Sequence, residues 1–522
     1  MSRRVWVCCG LGMASGALAA LAHPPFGFLP GLLGYGLLMQ RVDRIVGERP
    51  LRSAFLVGWL SGLAYFAIST WWVAHAFLVD AQRQGWMAPF AVILLASGLA
   101  LFWGAAAALY RKFNAGGAHR VLVFAGCVAL LEWLRGHLLT GFPWNLPGET
   151  FRAGSPLSQG AALAGVYGMT WFVVLVSAAL SLAREGRRGA IAAGAAMAFL
   201  AALWSFGTLR LRAAQTPVDG APVVRIIQTN VAQSAKYDPA GFYDIVGRYT
   251  KLTPSPGQPA DLVVWPEGAI PAAFEDYLAP GTWTRAAISQ TVAPEQTLVV
   301  GGYRQANGKY YNSLLALRGP QLAVQGRYDK YRLVPFGEYL PLEPLWRGVK
   351  QMVGVGDGFS PGPQPGPITI GKGLPMVQPL ICYESLFPGF TRQARRRSGA
   401  KVNLIINISN DAWFGAGAGP RQHLNLASYR AIEEGLPMVR ATPTGISAVI
   451  DAYGRIPPGA SLPMGRMGAI ETVIPPSLPS TLYSRWGEGL FLLLQLASAA
   501  MAWRLDGRRR LAETALTKNL GV

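Results

Sequence analysis

The sequence predicts a membrane α-helical bundle of eight spans joined to one large α/β domain, and three observations carry that reading. Of 522 residues, 51% are hydrophobic and only 14% are charged, a balance too apolar for an ordinary soluble chain. Seven apolar runs precede residue 210 and an eighth falls at 486–503, each long enough or nearly so to cross a bilayer. Residues 217–480 change character, with short β-rich runs alternating with turns and helical stretches, as in a layered α/β domain. The expected domains are therefore a bundle at 1–214, a catalytic domain at 215–482, and a last span with its tail at 483–522.

The first run, 5–22, follows Arg3 and Arg4 and ends in Ala20-Leu21-Ala22, which mimics a signal-peptidase site. Pro24, Pro25 and a second apolar run at once argue for a retained signal anchor. Further runs lie at about 28–43, 54–79, 86–110, 121–140, 160–183 and 189–209. Arg41, Arg44, Arg49 and Arg52, then Arg111, Lys112 and Arg120, then Arg184, Arg187 and Arg188 mark the same side as the N-terminus. The intervening loops carry only Arg83, Arg135 and Arg152. Basic residues stay in the cytoplasm, so the N-terminus is expected inside, the domain after residue 210 outside, and the arginine-rich C-terminal tail inside again.

A formal charge of +20 suggests nucleic acid, but most basic residues sit in short loops between apolar runs and act as topology signals, which sets nucleic acid aside. Cys8, Cys9 and Cys127 fall inside apolar runs, leaving Cys382 without a disulfide partner in its own domain. Five scattered histidines include no pair at metal-ligand spacing, so neither a metal nor a cofactor is expected. The outer loop 141–159, rich in Gly, Pro and aromatics, reads either as a membrane-level mouth or as an interfacial aromatic belt. Glu132 and Arg135, one helical turn apart, read as a head-group site or as a pair that neutralises itself.

Within the α/β domain, VVRIIQTNV, DLVVWPEG, TLVVGGYR, NSLLALRG, MVQPLICYE, VNLIINISND and ISAVID read as strands. Met376 to Ile381 is a buried strand, and Tyr383 onward reads as a turn opening a helix that carries Arg392, Arg395, Arg396 and Arg397. Cys382 then stands at a strand-to-helix corner, where free helix N–H groups would favour thiolate. Glu267 follows another apolar strand, and Lys330 lies in a loop after a third. Alone, each has an ordinary reading: a packed cysteine, a capping carboxylate, a solvated lysine. Together they supply a nucleophile, a base for its proton, and a cation for the developing oxyanion. With His423 the only histidine in 217–480, the base falls to Glu267.

WPEGAIP, DKYRLVPFGEYLP, ICYES and NISNDAWFG occur in that order, and the chain thereby resembles the nitrilase superfamily. Spans on both sides of the domain make it similar to that superfamily's membrane-integrated branch, the apolipoprotein N-acyltransferases of Gram-negative inner membranes. The resemblance implies an α-β-β-α sandwich on the periplasmic side, with Glu267 as general base, Lys330 as oxyanion-stabilising cation and Cys382 as nucleophile, supported by Glu338, Tyr383 and Glu384. Gly268 stands where the family pattern has Thr, and Pro443 where it has Asn. The implied reaction is ping-pong. Cys382 takes a fatty acyl chain from a phospholipid, typically phosphatidylethanolamine, and passes it to the α-amino group of the N-terminal S-diacylglyceryl cysteine of an apolipoprotein.

A thioester awaiting its amine must be kept from water, and Tyr237, Trp346, Phe359, Trp413 and Phe414 are candidates for that task. Trp346 and Phe359 read equally well as packing, whereas Trp413 and Phe414, in a glycine-flanked loop, read as a lid or substrate contact. Two rival readings remain. A membrane-tethered amidase or nitrilase would use the same three residues but needs fewer spans. A transporter or receptor would carry charges or broken helices at the membrane midplane, which these runs lack apart from Glu132 and Arg135.

Overall fold

A computed structural model describes residues 3–113, 116–212, 220–341 and 358–519, with side chains described from residue 10 to 504 of those ranges. Trp346, expected near the site, lies outside the described residues. The chain divides into two compact units, one of Met1–Ala74, Met87–Ala213 and Arg485–Val522, the other of His75–Trp86 and Ala214–Ser484.

The first unit is all helical. Four helical stretches are long and apolar enough to cross a membrane: Pro50–Ser69, Ala81–Phe113, Leu157–Ser181 and Gly186–Arg212. Of the other four expected runs, those at 5–22 and 486–503 fold largely within the helices Arg3–Leu21 and Gly489–Asn519, while the remaining two fall short on length or composition. Leu33–Asp43 has 11 residues, about 16 Å at 1.5 Å each, and Arg120–His137 contains Glu132 and Arg135. The run expected at 54–79 is broken, since its helix ends at Ser69 and the short helix Ala74–Leu78 follows separately. Small residues set the helix contacts. A Cβ on Gly58 would stand 2.5 Å from the Trp103 carbonyl, and one on Gly62 3.0 Å from Ala100 Cα, so these helices approach backbone to backbone.

Residues 141–151 are largely buried inside this unit, with Trp144 2% exposed and tilted against Trp72 at 4.4 Å. Glu132 and Arg135 pair with each other there. Trp103 Nε1 donates to Glu132 at 2.6 Å, and Arg135 donates to the Trp144 carbonyl at 3.1 Å. The pair is thus satisfied by protein groups and holds the loop in place.

The second unit is a sandwich of two sheets. The first contains β1 (Val223–Gln228), β2 (Leu262–Val264), β3 (Thr297–Ala306), β4 (Lys309–Arg318) and β5 (Ala323–Asp329). The second has β6 (Val377–Ile381), β7 (Leu404–Ile408), β8 (Met438–Ala441), β9 (Ser447–Ile450) and β10 (Ser461–Leu462), and β11 (Gly468–Val473) returns to the first. The orders are β11-β1-β2-β3-β4-β5 and β10-β9-β8-β7-β6. Strands β1-β2-β3 and β6-β7-β8 run parallel, and each triplet is joined through helices.

Alternation along the strands then sorts the core. Val224, Ile226, Val264 and Val299 of the first sheet meet Ile381, Leu404, Ile406 and Val439 of the second in one cluster between the sheets. The opposite face of the first sheet, with Ile227, Val263, Trp265 and Leu298, packs on Ile245, Val246, Tyr249 and Ile288 from its helices. Strand β7 is buried along its whole length, as a strand covered on both faces must be. The layers are helix, sheet, sheet, helix.

Candidate active site

Glu267 stands three residues beyond β2, while Lys330 and Cys382 directly follow β5 and β6. The carboxyl ends of parallel strands are where an α/β sheet presents side chains without breaking its ladder. Gly301 on β3 makes room for the first of these turns, because a Cβ there would lie 2.7 Å from Glu267 Cα and 2.6 Å from the Pro266 carbonyl. Gly268 adopts φ +58°, a left-handed conformation natural to glycine, which explains why this turn carries no threonine. The other departure is equally local: the Pro443 carbonyl accepts the Asn230 N–H at 2.8 Å.

Lys330 is 1% exposed, and its ammonium lies 2.9 Å from Glu338 Oε1 and 3.5 Å from Glu267 Oε1. Burial works against its charge, but Glu338 and Glu267 more than offset this and hold its pKa above the ordinary lysine value. Asn312, at the head of β4, donates through Nδ2 to both carboxylates, 2.7 Å to Glu267 and 2.8 Å to Glu338. Glu338 Oε2 accepts the Val334 N–H at 2.8 Å. Glu267 Oε2 is buried and has no hydrogen-bond partner among the described residues, which leaves an open acceptor.

Cys382 is buried and its backbone is left-handed at φ +50°, a conformation that costs a non-glycine residue roughly 1–3 kcal/mol and persists only where the surroundings impose it. Burial, and then the charge of Glu267, push its thiol up to about 12 against the pull of Lys330. The shift favours the neutral thiol at rest, against the pull towards thiolate that a helix start would exert. Cys382–Leu386 is a single 3₁₀ turn, and the α-helix begins only at Phe390, so no α-helix N-terminus stands at the thiol.

Glu384 ties this turn to the Lys330 loop. Its Oε2 accepts the Ile381 N–H at 2.8 Å, and its Oε1 accepts Tyr328 Oη at 2.7 Å and the N–H groups of Tyr331 and Arg332 at 2.8 and 3.1 Å. Burial raises its carboxyl to about 7 in spite of these four donors. Tyr383 is buried edge-on against Phe387 at 5.0 Å. Phe359 is half-buried, and its N–H donates to the Glu338 carbonyl at 2.8 Å. Trp413 and Phe414 are half-buried in the 3₁₀ turn Asp411–Phe414, with Phe414 edge-on to His423 at 5.6 Å. Tyr237 is 66% exposed and lines an open cleft of about 450 Å³ with Phe242, Tyr243 and Trp283.

Two residues of this site escaped the sequence reading. Asn312 was visible only as a polar residue opening an apolar strand. Lys236 also lines the cleft and donates to the Gly268 carbonyl at 2.7 Å, and burial brings its pKa down to about 8 although Glu267 opposes the shift.

A family model described as the apolipoprotein N-acyltransferase N-terminal domain matches residues 15–179, and one described as carbon-nitrogen hydrolase matches 223–465. A curated relative from Caulobacter vibrioides, named apolipoprotein N-acyltransferase, is 52% identical over 512 residues, covering 96% of this chain and 95% of its own. The chain belongs to the apolipoprotein N-acyltransferase family. Relatives of the same name from Brucella melitensis and Rhizobium leguminosarum are each 37% identical, over 95% and 94% of this chain and 95% of their own. Membership in this family, with four apolar helices of spanning length, makes the chain a membrane protein. The apolipoprotein N-acyltransferase family thus accounts for both units, the helical one by its N-terminal model and the sandwich by its carbon-nitrogen hydrolase model.

Proposed function

We propose that the chain moves a fatty acyl group from a phospholipid, phosphatidylethanolamine being the expected donor, to the α-amino group of a lipoprotein's N-terminal S-diacylglyceryl cysteine. The observation that carries this reading is the open Oε2 of Glu267, buried beside a fixed Lys330 cation and the Cys382 thiol. In the first half, Glu267 takes the thiol proton as sulfur attacks the ester carbonyl, and Lys330 stabilises the oxyanion. Collapse expels the lysophospholipid, whose alkoxide regains the proton from Glu267. In the second half, the amine attacks the thioester, Glu267 takes its proton, and sulfur leaves to be reprotonated as the thiol. Glu338 and Asn312 orient Lys330 and Glu267, Glu384 holds the nucleophile turn, and Tyr383 packs beneath it.

Both substrates are anchored in a bilayer, which gives a nitrilase-like site a reason to be fused to membrane helices. The proposal therefore includes eight spans, both termini in the cytoplasm, and the domain 215–482 in the periplasm of a Gram-negative inner membrane. Tyr237, Trp413 and Phe414 shield the thioester or contact the acyl chain.

Mass spectrometry of the intact protein after exposure to phospholipid tests the scheme. Wild-type protein should gain a fatty-acyl mass that disappears on adding a diacylglyceryl peptide. Cys382→Ser should gain none, and Glu267→Gln should gain it about 10²–10⁴-fold more slowly. An adduct on the serine variant at the wild-type rate, or none on active wild-type protein, excludes covalent catalysis at Cys382.

A further inference from the structure

The nucleophile turn is gripped at three backbone points, and two of them lead into a buried polar chain that the chemistry above does not use. Glu384 holds the Ile381 N–H. Ser385 Oγ donates to the Cys382 carbonyl at 2.8 Å and lies 3.0 Å from His423 Nε2. His423 Nδ1 in turn lies 3.0 Å from Asp411 Oδ1. Arg440 donates to both Asp411 oxygens at 2.8 and 3.1 Å, and the Ser409 hydroxyl donates to Oδ1 at 2.7 Å. Arg440 also donates to Asn407, whose amide donates to the Leu380 carbonyl at 2.9 Å. Gly445 leaves the space this carboxylate fills, since a Cβ there would stand 2.6 Å from Asp411 Oδ2.

A serine, a histidine and an aspartate in hydrogen-bonded sequence have the order of a hydrolase triad. These three are sealed, at no more than 1% exposure each, and the Ser385 hydroxyl is directed at main chain. No substrate reaches them. What they touch is the carbonyl of Cys382, whose backbone is held left-handed at φ +50°. Such a residue relaxes to an ordinary conformation unless its neighbours over-determine it, and relaxation at Cys382 would swing its sulfur away from Glu267 and Lys330.

We infer that Ser385, His423 and Asp411 form a buried clamp that holds the Cys382 backbone in its left-handed conformation and so aims the thiol. They are positioning residues, and the inference rests on Cys382 being the nucleophile. In a connected network of this kind each bond polarises and orients the next, so removing one member loosens the end that matters.

The test uses the full-length protein with phospholipid vesicles, reading acyl-adduct formation against phospholipid concentration and, separately, alkylation of Cys382 by iodoacetamide. Ser385→Ala and His423→Phe should lower the maximal acylation rate about 10- to 100-fold, with the half-saturating phospholipid concentration unchanged within about twofold. Alkylation should fall by no more than about threefold, because a small reagent does not need an aimed sulfur. His423→Gln, which keeps a hydrogen-bonding group towards Ser385, should recover part of the rate. Wild-type acylation in Ser385→Ala, a loss confined to the half-saturating concentration, or His423→Gln no better than His423→Phe would overturn the clamp. An adduct on Cys382→Ala, or none on wild-type protein, would instead sink the nucleophile assignment itself.

Discussion

One amide nitrogen serves two carboxylates: Asn312 Nδ2 donates to Glu267 at 2.7 Å and to Glu338 at 2.8 Å, on the same oxygens that Lys330 approaches. The neutral amide adds a second attraction for each carboxylate beside that of Lys330, without adding a charge.

Asn312→Asp should therefore be more damaging than a loss of packing. It replaces two hydrogen bonds to charged groups, each worth about 1.5–3 kcal/mol, with a third carboxylate that repels the other two. The rate of acyl-adduct formation should fall by about two orders of magnitude or more. A variant within about tenfold of wild type would show that Lys330 alone orders the carboxylates.

Lys330 matters for size as much as for charge. Its ammonium is sealed between two carboxylates, and a planar guanidinium does not fit a space shaped for a compact cation. Lys330→Arg should be nearly as inactive as Lys330→Ala in the same assay. Near-normal turnover of the arginine variant would reduce this lysine to a general source of positive charge.

A thiol pushed up to about 12 makes a testable statement about pH. Only thiolate is alkylated, and well below its pKa the thiolate fraction rises about tenfold per pH unit, so iodoacetamide labelling of Cys382 should climb with that slope from about pH 7 to 9. Lys330 lowers the thiol pKa, so Lys330→Ala should label more slowly still at each pH. A labelling rate that is flat above pH 7 would mean the cysteine rests as thiolate.

What the sequence disclosed follows from burial. Strands β1 to β4, β6, β7 and β9 declare themselves because packed strands need apolar runs. AVQGRYD, which became β5 at the sheet's edge, is mostly exposed and carries no such run, and β11 is an edge strand of the same kind. At the site, Glu267 and Cys382 stood out as ionisable residues closing apolar strands, and Lys330 through the segment DKYRLVPFGEYLP that carries it. Asn312 did not, because asparagine beside a strand reads first as a turn residue. His423 was visible as a solitary histidine, but its partners Ser385 and Asp411 come from separate segments that only the folded sheets bring together.

Glu384 joins the end of β5 in one sheet to the start of the nucleophile turn in the other, through the Tyr331 and Arg332 N–H groups on one side and the Ile381 N–H on the other. Reactivity is consequently a late product of assembly. Before the sheets dock, the cysteine has neither base nor cation beside it and no imposed backbone conformation, and it behaves as an ordinary thiol. The carboxylate that ties the two sheets together thus also fixes the turn on which the proposed chemistry depends.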